Sequence, residues 1–194
     1  MQMLGIVTSQ ALLVLADPGG FILFIIPSVL ISLAFTPLLL SISPVPAHAS
    51  AKPLSLFQIW RASPLGCVGM LLLGGIFSAQ FGMASVFGTQ AGLSVAQIST
   101  FVSAFFVGAL VLQFPIGWLS DRMDRRRLIM GTSSILGGAA IFGALFSGAF
   151  WAIVVSAVIV GGMSNPLYSL LLAYVNDYLD HDAMAGAAGG MVFI

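Results

Sequence analysis

The residues best suited to chemistry in this sequence form a dense run of charges between positions 121 and 127. The run holds two carboxylates and four guanidinium groups, from Asp121, Arg122, Asp124, Arg125, Arg126 and Arg127. A second stretch, 176–182, carries three acids and no Lys or Arg. Because arginine binds carboxylates in bidentate pairs, we expect the two stretches to form an ion-pair cluster. Asp177 is the preferred partner of Arg125 or Arg126.

Uncharged polar and aromatic side chains inside apolar stretches are candidates for binding a substrate, namely Phe77, Gln80, Asn165 and Tyr168. Gln80 has two interpretations, since it either lines a solute path or donates a hydrogen bond to another helix. Asn165 and Tyr168 have the same two interpretations. A kink at Pro166 would by itself also explain Asn165. The sequence does not decide between these alternatives.

No pattern in the sequence is typical of a catalytic, cofactor or metal site. The two histidines are isolated in predicted loops, Cys67 is the single cysteine, and no glycine-rich phosphate loop is present. Repeated glycines at 74–75, 137–138 and 161–162 are explained by close helix packing rather than by a cofactor. The sequence therefore predicts no cofactor, no metal and no enzymatic activity. An enzyme whose active site lies among these apolar stretches is a poor interpretation of the chain.

Composition indicates which elements position these residues. The chain has 194 residues, of which 59% are hydrophobic and 6% are charged, with a net charge of zero and a mean hydropathy of +1.11. Soluble domains carry about 25% charged residues, so this surface is not built for water. The apolar content excludes a disordered chain. The single cysteine excludes a disulfide-stabilised scaffold, and the net charge of zero excludes a nucleic-acid binder. What remains is a bundle of helices in lipid, each about 20 residues long.

Turn signals divide the chain into six full or partial membrane spans and the start of a seventh. The predicted spans are 1–15, 21–40, 64–87, 97–118, 128–146, 150–175 and a segment that begins near 183. Residues 41–63 form the longest polar stretch and predict a linker. Since both ends of the chain run within apolar sequence, we expect it to be part of a longer protein.

The basic residues predict how the spans are oriented. All six Lys and Arg lie in two of the predicted gaps, 41–63 and 119–127. The positive-inside rule places both gaps in the cytoplasm, and alternation of the spans then places 176–182 on the same side. Pairing with the arginines of 119–127 explains why the acidic stretch 176–182 occurs on the cytoplasmic side.

The segment from Gly117 to Leu128, GWLSDRMDRRRL, resembles the G-x-L-x-D-R-x-G-R-R loop of the major facilitator superfamily of secondary transporters. The matching residues are Gly117, Leu119, Asp121, Arg122, Arg125 and Arg126. Asp124 stands where the family usually has Gly. We expect Asp124 to tolerate the left-handed backbone that glycine would allow.

The resemblance implies an all-α, polytopic helical bundle made of two six-helix halves that a cytoplasmic linker joins. It aligns this chain with family helices five to eleven. On that basis 1–40 are the last two helices of the N-terminal half, 41–63 are the linker, and 64–194 are a truncated C-terminal half. Four helices of the same transporter are then missing before Met1.

The implied function is transport of a small solute by alternating access in a bacterial-type inner membrane. The loop would act as a cytoplasmic conformational latch made of Gly117, Asp121, Arg122, Arg125, Arg126 and Asp177. Gly117 is expected to let its helix approach a neighbour closely. By symmetry between the halves, Asp121 should face the N-terminus of the helix aligned with family helix five, at or before Met1. Expected partners are the lipid bilayer, a small-molecule substrate and the missing N-terminal helices, and no nucleic acid.

Two questions stay open at this stage. No predicted span contains an ionisable residue of the kind that couples transport to ions, so either the protein moves a neutral solute passively or the coupling group lies in the missing part. We favour the missing part. The alternative to a transporter is a membrane interaction or scaffold protein that does not transport.

Overall fold

In the computed structural model, residues 20–40 and 55–179 are described, together with residues 184, 186, 187, 189 and 190. These parts of the chain are mostly helical and contain no strand. Their helices are α1 (Ile22–Leu40), α2 (Leu56–Ala62), α3 (Pro64–Gln90), α4 (Val95–Ser120), α5 (Arg125–Leu145) and α6 (Phe150–Asn176). The predicted all-α membrane bundle is confirmed.

Within the described residues, four helices are long and apolar enough to cross a membrane: α3, α4, α5 and α6. They correspond to the predicted spans 64–87, 97–118, 128–146 and 150–175. The predicted span 21–40 corresponds to α1, whose described side chains are mostly exposed. The predicted span 1–15, residues 41–54 of the predicted linker, and Asp180 and Asp182 lie outside the described residues.

Capping side chains explain where α2, α3 and α4 begin. At Ser55 and Ser94 the serine hydroxyl accepts the amide hydrogen of the glutamine three residues later, whose side chain in turn accepts the serine amide. The box at Ser55 starts α2 inside the stretch predicted to be a linker. Ser63 then caps α3, so the chain passes from α2 into α3 through one non-helical residue.

Helix α6 is the most buried of the four spanning helices and crosses α4 with the two backbones in contact. A Cβ placed at Gly108 would overlap the carbonyl oxygen of Val158, and one at Gly161 would overlap the backbone of Phe105. Such contact is how helices associate in lipid, where no hydrophobic force drives them together.

The predicted close packing at 161–162 is therefore present. By contrast, a Cβ at any glycine of the 74–75 and 137–138 pairs would meet no described heavy atom within 4 Å. These two pairs lie on faces that the described helices do not cover.

An apolar cluster gathers five helices next to the charged loop. Its buried members include Ile59 of α2, Cys67 of α3, Ile116 of α4, Leu128 of α5 and Val175 of α6. We call this end of the bundle, with residues 117–128 and Asp177, the charged end. A second cluster around Phe101 and Ile153 packs the opposite ends of the helices. The first cluster therefore fixes the helix ends that carry the charges.

Candidate functional site

The two predicted charged stretches meet at the charged end of the bundle. Nη1 of Arg125 lies 2.5 Å from Oδ1 of Asp177, and it also donates to the backbone carbonyl of Ala173 at 3.3 Å. The side chains are 35% and 51% exposed. Among the described residues this is the one ion pair, and of the two partners expected for Asp177 the structure contains Arg125.

Both partners oppose the dipole of their own helix. Arg125 is the first residue of α5, where the helix end is partially positive and no acid lies in the first turn. Asp177 caps the partially negative C-terminal end of α6. Each placement alone costs about 0.3–1 kcal/mol. Together they compensate, because the guanidinium of Arg125 lies against the Ala173 carbonyl and the Asp177 carboxylate at the end of α6.

Two other residues of the loop are engaged locally. Arg122 stacks over the ring of Trp118, with its guanidinium carbon 4.0 Å from the ring centroid, and donates to the Trp118 carbonyl at 3.2 Å. Asp124 is the N-cap of α5, and its Oδ1 accepts the amide hydrogen of Arg127 at 3.1 Å.

The expected left-handed backbone at Asp124 is wrong. Its φ is −59°, and no described non-glycine residue has a positive φ. The physical reason is the cap itself, because an N-cap residue keeps a negative φ while its side chain satisfies an amide of the first turn.

The remaining members of the predicted latch are exposed. Asp121 ends α4, and Asp121 and Arg126 make no ion pair with a described residue. Gly117 is also exposed, and a Cβ placed there would meet no described heavy atom within 4 Å. The close approach expected at Gly117 is therefore not made with the described helices.

A polar cleft of about 390 Å³ opens beside the ion pair and is lined in part by Arg125, Arg126, Asp177 and two tyrosines. The hydroxyl of Tyr178 donates to that of Tyr174 at 3.2 Å. This hydrogen bond raises the pKa of Tyr178 above its ordinary value, while the positive charge of Arg126 acts in the opposite direction. Tyr178 is therefore neutral at physiological pH and donates a hydrogen bond.

Deeper in the bundle, Gln80 joins α3 to α6. Its Nε2 donates to Oγ of Ser164 at 2.9 Å, and the two residues are 6% and 0% exposed. Gln80 lies in a π-helical segment of α3, Ala79–Met83. Such segments interrupt the regular ladder and are frequent at functional sites.

Gln80 also borders a cavity of about 420 Å³ whose walls are almost entirely apolar. The cavity lies between α3, α4, α5 and α6, and its lining includes Ala79, Phe105, Ala140 and Ile153. Of the two interpretations of Gln80, the interhelical hydrogen bond is present, and the position of Gln80 in a cavity wall leaves the solute path as a prediction.

The other substrate candidates are less directly placed. Asn165 donates from Nδ2 to the carbonyl of Gly161 at 3.1 Å, within its own helix and next to Pro166. Tyr168 and Phe77 are partly buried against the apolar cluster of the charged end, and the Phe77 ring lies 5.7 Å from that of Phe81. The structure therefore brings Gln80 next to the segment that holds Asn165, through Ser164, without joining all four candidates in one cavity.

Comparison with known proteins decides the family. The model of the Major Facilitator Superfamily matches residues 65–194. The chain belongs to the major facilitator superfamily. With its four spanning helices in the described residues, it is a multi-pass integral membrane protein of a transporter family. No solved structure matches the chain.

Several curated members of the superfamily are similar to this chain. An uncharacterised MFS-type transporter of Yersinia enterocolitica is 25% identical over 93% of the chain and 47% of the relative. The uncharacterised MFS-type transporter YfkF of Bacillus subtilis is 26% identical over 68% of the chain and 34% of the relative. A D-xylose transporter of Levilactobacillus brevis is 30% identical over 60% of the chain and 25% of the relative. The chain thus spans at most about half the length of these relatives.

Sequence reasoning missed three features of this superfamily member. The capping role of Asp124 had a signal, since Asp directly before a helix is a typical N-cap. The stacking of Arg122 on Trp118 had a weaker one, the four-residue spacing. The π-helical segment at Gln80 had no signal in the sequence.

Among the described residues, no three His, Cys, Asp or Glu side chains come together as metal ligands.

Proposed function

We propose that this chain is the C-terminal portion of a secondary transporter that moves a small solute by alternating access. In this proposal residues 117–128 and Asp177 form a cytoplasmic latch. The contact between Arg125 and Asp177 is the main support for this latch. The contact divides the charged end into a fixed part and a free part.

The fixed part is the pair that ties the start of α5 to the end of α6. The free part is the exposed Asp121, Arg126 and Gly117, which have no partner among the described helices. A carboxylate and a guanidinium on a rigid support are suited to bind and release the helix ends of a second bundle. Exposed ion pairs contribute only about 0–1 kcal/mol each, so the latch must act as a network.

The second bundle would come from the rest of the protein. The layout proposed is 1–40 as the last two helices of the N-terminal half, 41–63 as the linker, and 64–194 as part of the C-terminal half. The short coverage of the curated relatives supports a longer protein. Asp121 would then face the N-terminus of a helix in the N-terminal half, near or before Met1, and the location would be a bacterial-type inner membrane.

The proposed substrate is a small solute that reaches the bilayer midplane near Gln80. The described parts of α3, α4 and α6 contain no charged side chain, so recognition there would rely on hydrogen bonds and aromatic contacts from Gln80, Asn165, Tyr168 and Phe77. D-xylose is the first solute to test, because one relative is named for it. Any group that couples transport to ions would lie outside this chain.

A non-transporting membrane scaffold is the second candidate. Its support is the row of apolar positions on α1 and directly before it that no described residue covers, where Phe21 and Phe24 are more than 70% exposed. Such a surface suits helix partners as well as lipid.

The coding sequence on both sides of this open reading frame distinguishes the two candidates. In-phase coding for about four apolar spans upstream and one or two downstream would support the transporter. A stop codon directly before the first codon and another directly after the last would favour the scaffold. A complementary assay is uptake by vesicles that contain this chain alone. Uptake above that of empty vesicles would contradict the view that the chain needs the other half.

A further inference from the structure

The short helix α2 lies at the charged end, with one face buried and the other not covered by any described residue. Ile59 is fully buried in the apolar cluster of that end, which fixes the helix against the bundle. The surface of α2 away from the cluster presents Leu56, Phe57 and Trp60, which are 51%, 62% and 48% exposed. Gln58 and Arg61 are exposed as well, so the outer surface of α2 combines apolar and aromatic side chains with one positive charge.

The length of α3 places α2 within the headgroup layer of a bilayer. Helix α3 has 27 residues and is therefore about 40 Å long at about 1.5 Å per residue. The hydrocarbon core is about 30 Å thick, so α3 extends about 5 Å beyond it at each end when it is centred. Since only Ser63 separates the two helices, α2 lies at the boundary between acyl chains and headgroups. Trp, Tyr and amphipathic segments concentrate at that depth.

Arginines accompany the exposed aromatic rings at this depth. The guanidinium of Arg61 lies 4.6 Å from the ring centroid of Phe57, and that of Arg122 lies 4.0 Å from the ring centroid of Trp118. In each pair the aromatic residue precedes the arginine by four positions, and Trp118 is 51% exposed. Neither arginine forms an ion pair with a described carboxylate. The repeated arrangement leaves two cations beside aromatic rings at the membrane surface.

We propose that α2 is an interfacial anchor that binds the headgroups of anionic phospholipids. Phe57 and Trp60 insert between the lipids, and Arg61 binds a headgroup phosphate, with Arg122 as a second cation on the same rim. The charge of this surface is complementary to the lipid, since α2 and the charged end together hold five arginines against three described aspartates, and guanidinium groups bind phosphate well. The anchor would hold the start of α3 at a fixed depth and in a fixed orientation.

The decisive experiment uses the full chain in nanodiscs with Trp60 as the single tryptophan, in the double variant Trp118→Phe, Trp151→Phe. Lipids that carry a spin label at acyl carbon 5 or carbon 16 report depth by quenching its fluorescence. We expect at least twofold stronger quenching by the shallow label. A matched variant that retains only Trp151 reports on the opposite ends of the helices.

The headgroup contact is tested by native mass spectrometry with phosphatidylglycerol and phosphatidylcholine. We expect Arg61→Gln to reduce binding of phosphatidylglycerol at least threefold, with no change for phosphatidylcholine. Arg127→Gln, at an exposed arginine beyond the aromatic pairs, is the control and should have less effect. Three results would each overturn the proposal: Trp60 quenched by neither label because protein covers it, Trp60 quenched only by aqueous iodide, or equal lipid binding by Arg61→Gln and the parent.

Discussion

Arg125 and Asp177 each lie at the end of their own helix where the helix dipole disfavours their charge. Each also lies beside the end of the partner helix where the dipole favours that charge. Arg125 starts α5 and donates to the Ala173 carbonyl in the last turn of α6, while Asp177 caps α6 and contacts the start of α5. The pair therefore stabilises an antiparallel arrangement of these helices that neither residue would favour in isolation.

Exchanging the two charges tests this relationship. Arg125→Asp or Asp177→Arg alone should lower the unfolding free energy by about 1 kcal/mol, because each leaves like charges facing each other. The double exchange should recover most of that loss, since opposite charges face each other again and each agrees with its own dipole, while the hydrogen bond to the Ala173 carbonyl is lost. Thermal unfolding of the purified chain in detergent measures this, with Arg127→Asp as a control outside the pair. Additive losses in the double variant would contradict the account.

The hydrogen bond from Gln80 to Ser164 should contribute measurably to the packing of α3 on α6. In a double-mutant cycle with Gln80→Ala and Ser164→Ala, we expect a coupling energy of about 0.6–1.7 kcal/mol. Ser134, which bonds only within its own helix, provides the matched Ser→Ala control. A coupling energy near zero, measured by denaturation in detergent, would show that the bond does not hold the helices.

The crossing of α4 and α6 should be intolerant of side chains at Gly161. Gly161→Leu would place the side chain in the backbone of Phe105, so we expect loss of the folded, monodisperse protein on size exclusion. Gly138→Leu is the control, because a Cβ there meets no described heavy atom within 4 Å. Equal recovery of both variants would argue against backbone contact at this crossing.

Asp124 should behave as a helix cap and not as a substitute for a left-handed glycine. Asp124→Ala is expected to cost about 1 kcal/mol, whereas Asp124→Gly should cost only a few tenths. Hydrogen exchange at the amide of Arg127, which Asp124 accepts, should accelerate most in Asp124→Ala. Slower exchange in Asp124→Ala than in Asp124→Gly would be inconsistent with a cap.

The sequence predicted the spans and the pairing of Asp177 with an arginine because hydropathy and charge are signals along the chain itself. It could not predict the crossing at Gly108, since open glycines such as Gly74 have the same local sequence character. The π-helical segment at Gln80 depends on packing and left no pattern. The error at Asp124 came from carrying over the backbone of a family glycine instead of considering the helix that follows. The capping box at Ser55 was present in the sequence and marks α2.

The central claim, that the charged end acts as a cytoplasmic latch, is tested most directly by cysteine accessibility in the intact transporter. The variant carries Ala79→Cys in a Cys67→Ser background, which places a thiol in the wall of the 420 Å³ cavity. In inside-out vesicles, the rate at which a membrane-impermeant reagent labels this thiol measures access to the cavity from the cytoplasmic side. Asp121→Asn should accelerate labelling about fivefold, the effect of weakening the closed state by about 1 kcal/mol, while Arg127→Gln should not. An unchanged rate in Asp121→Asn, with the protein folded and inserted, would contradict the latch.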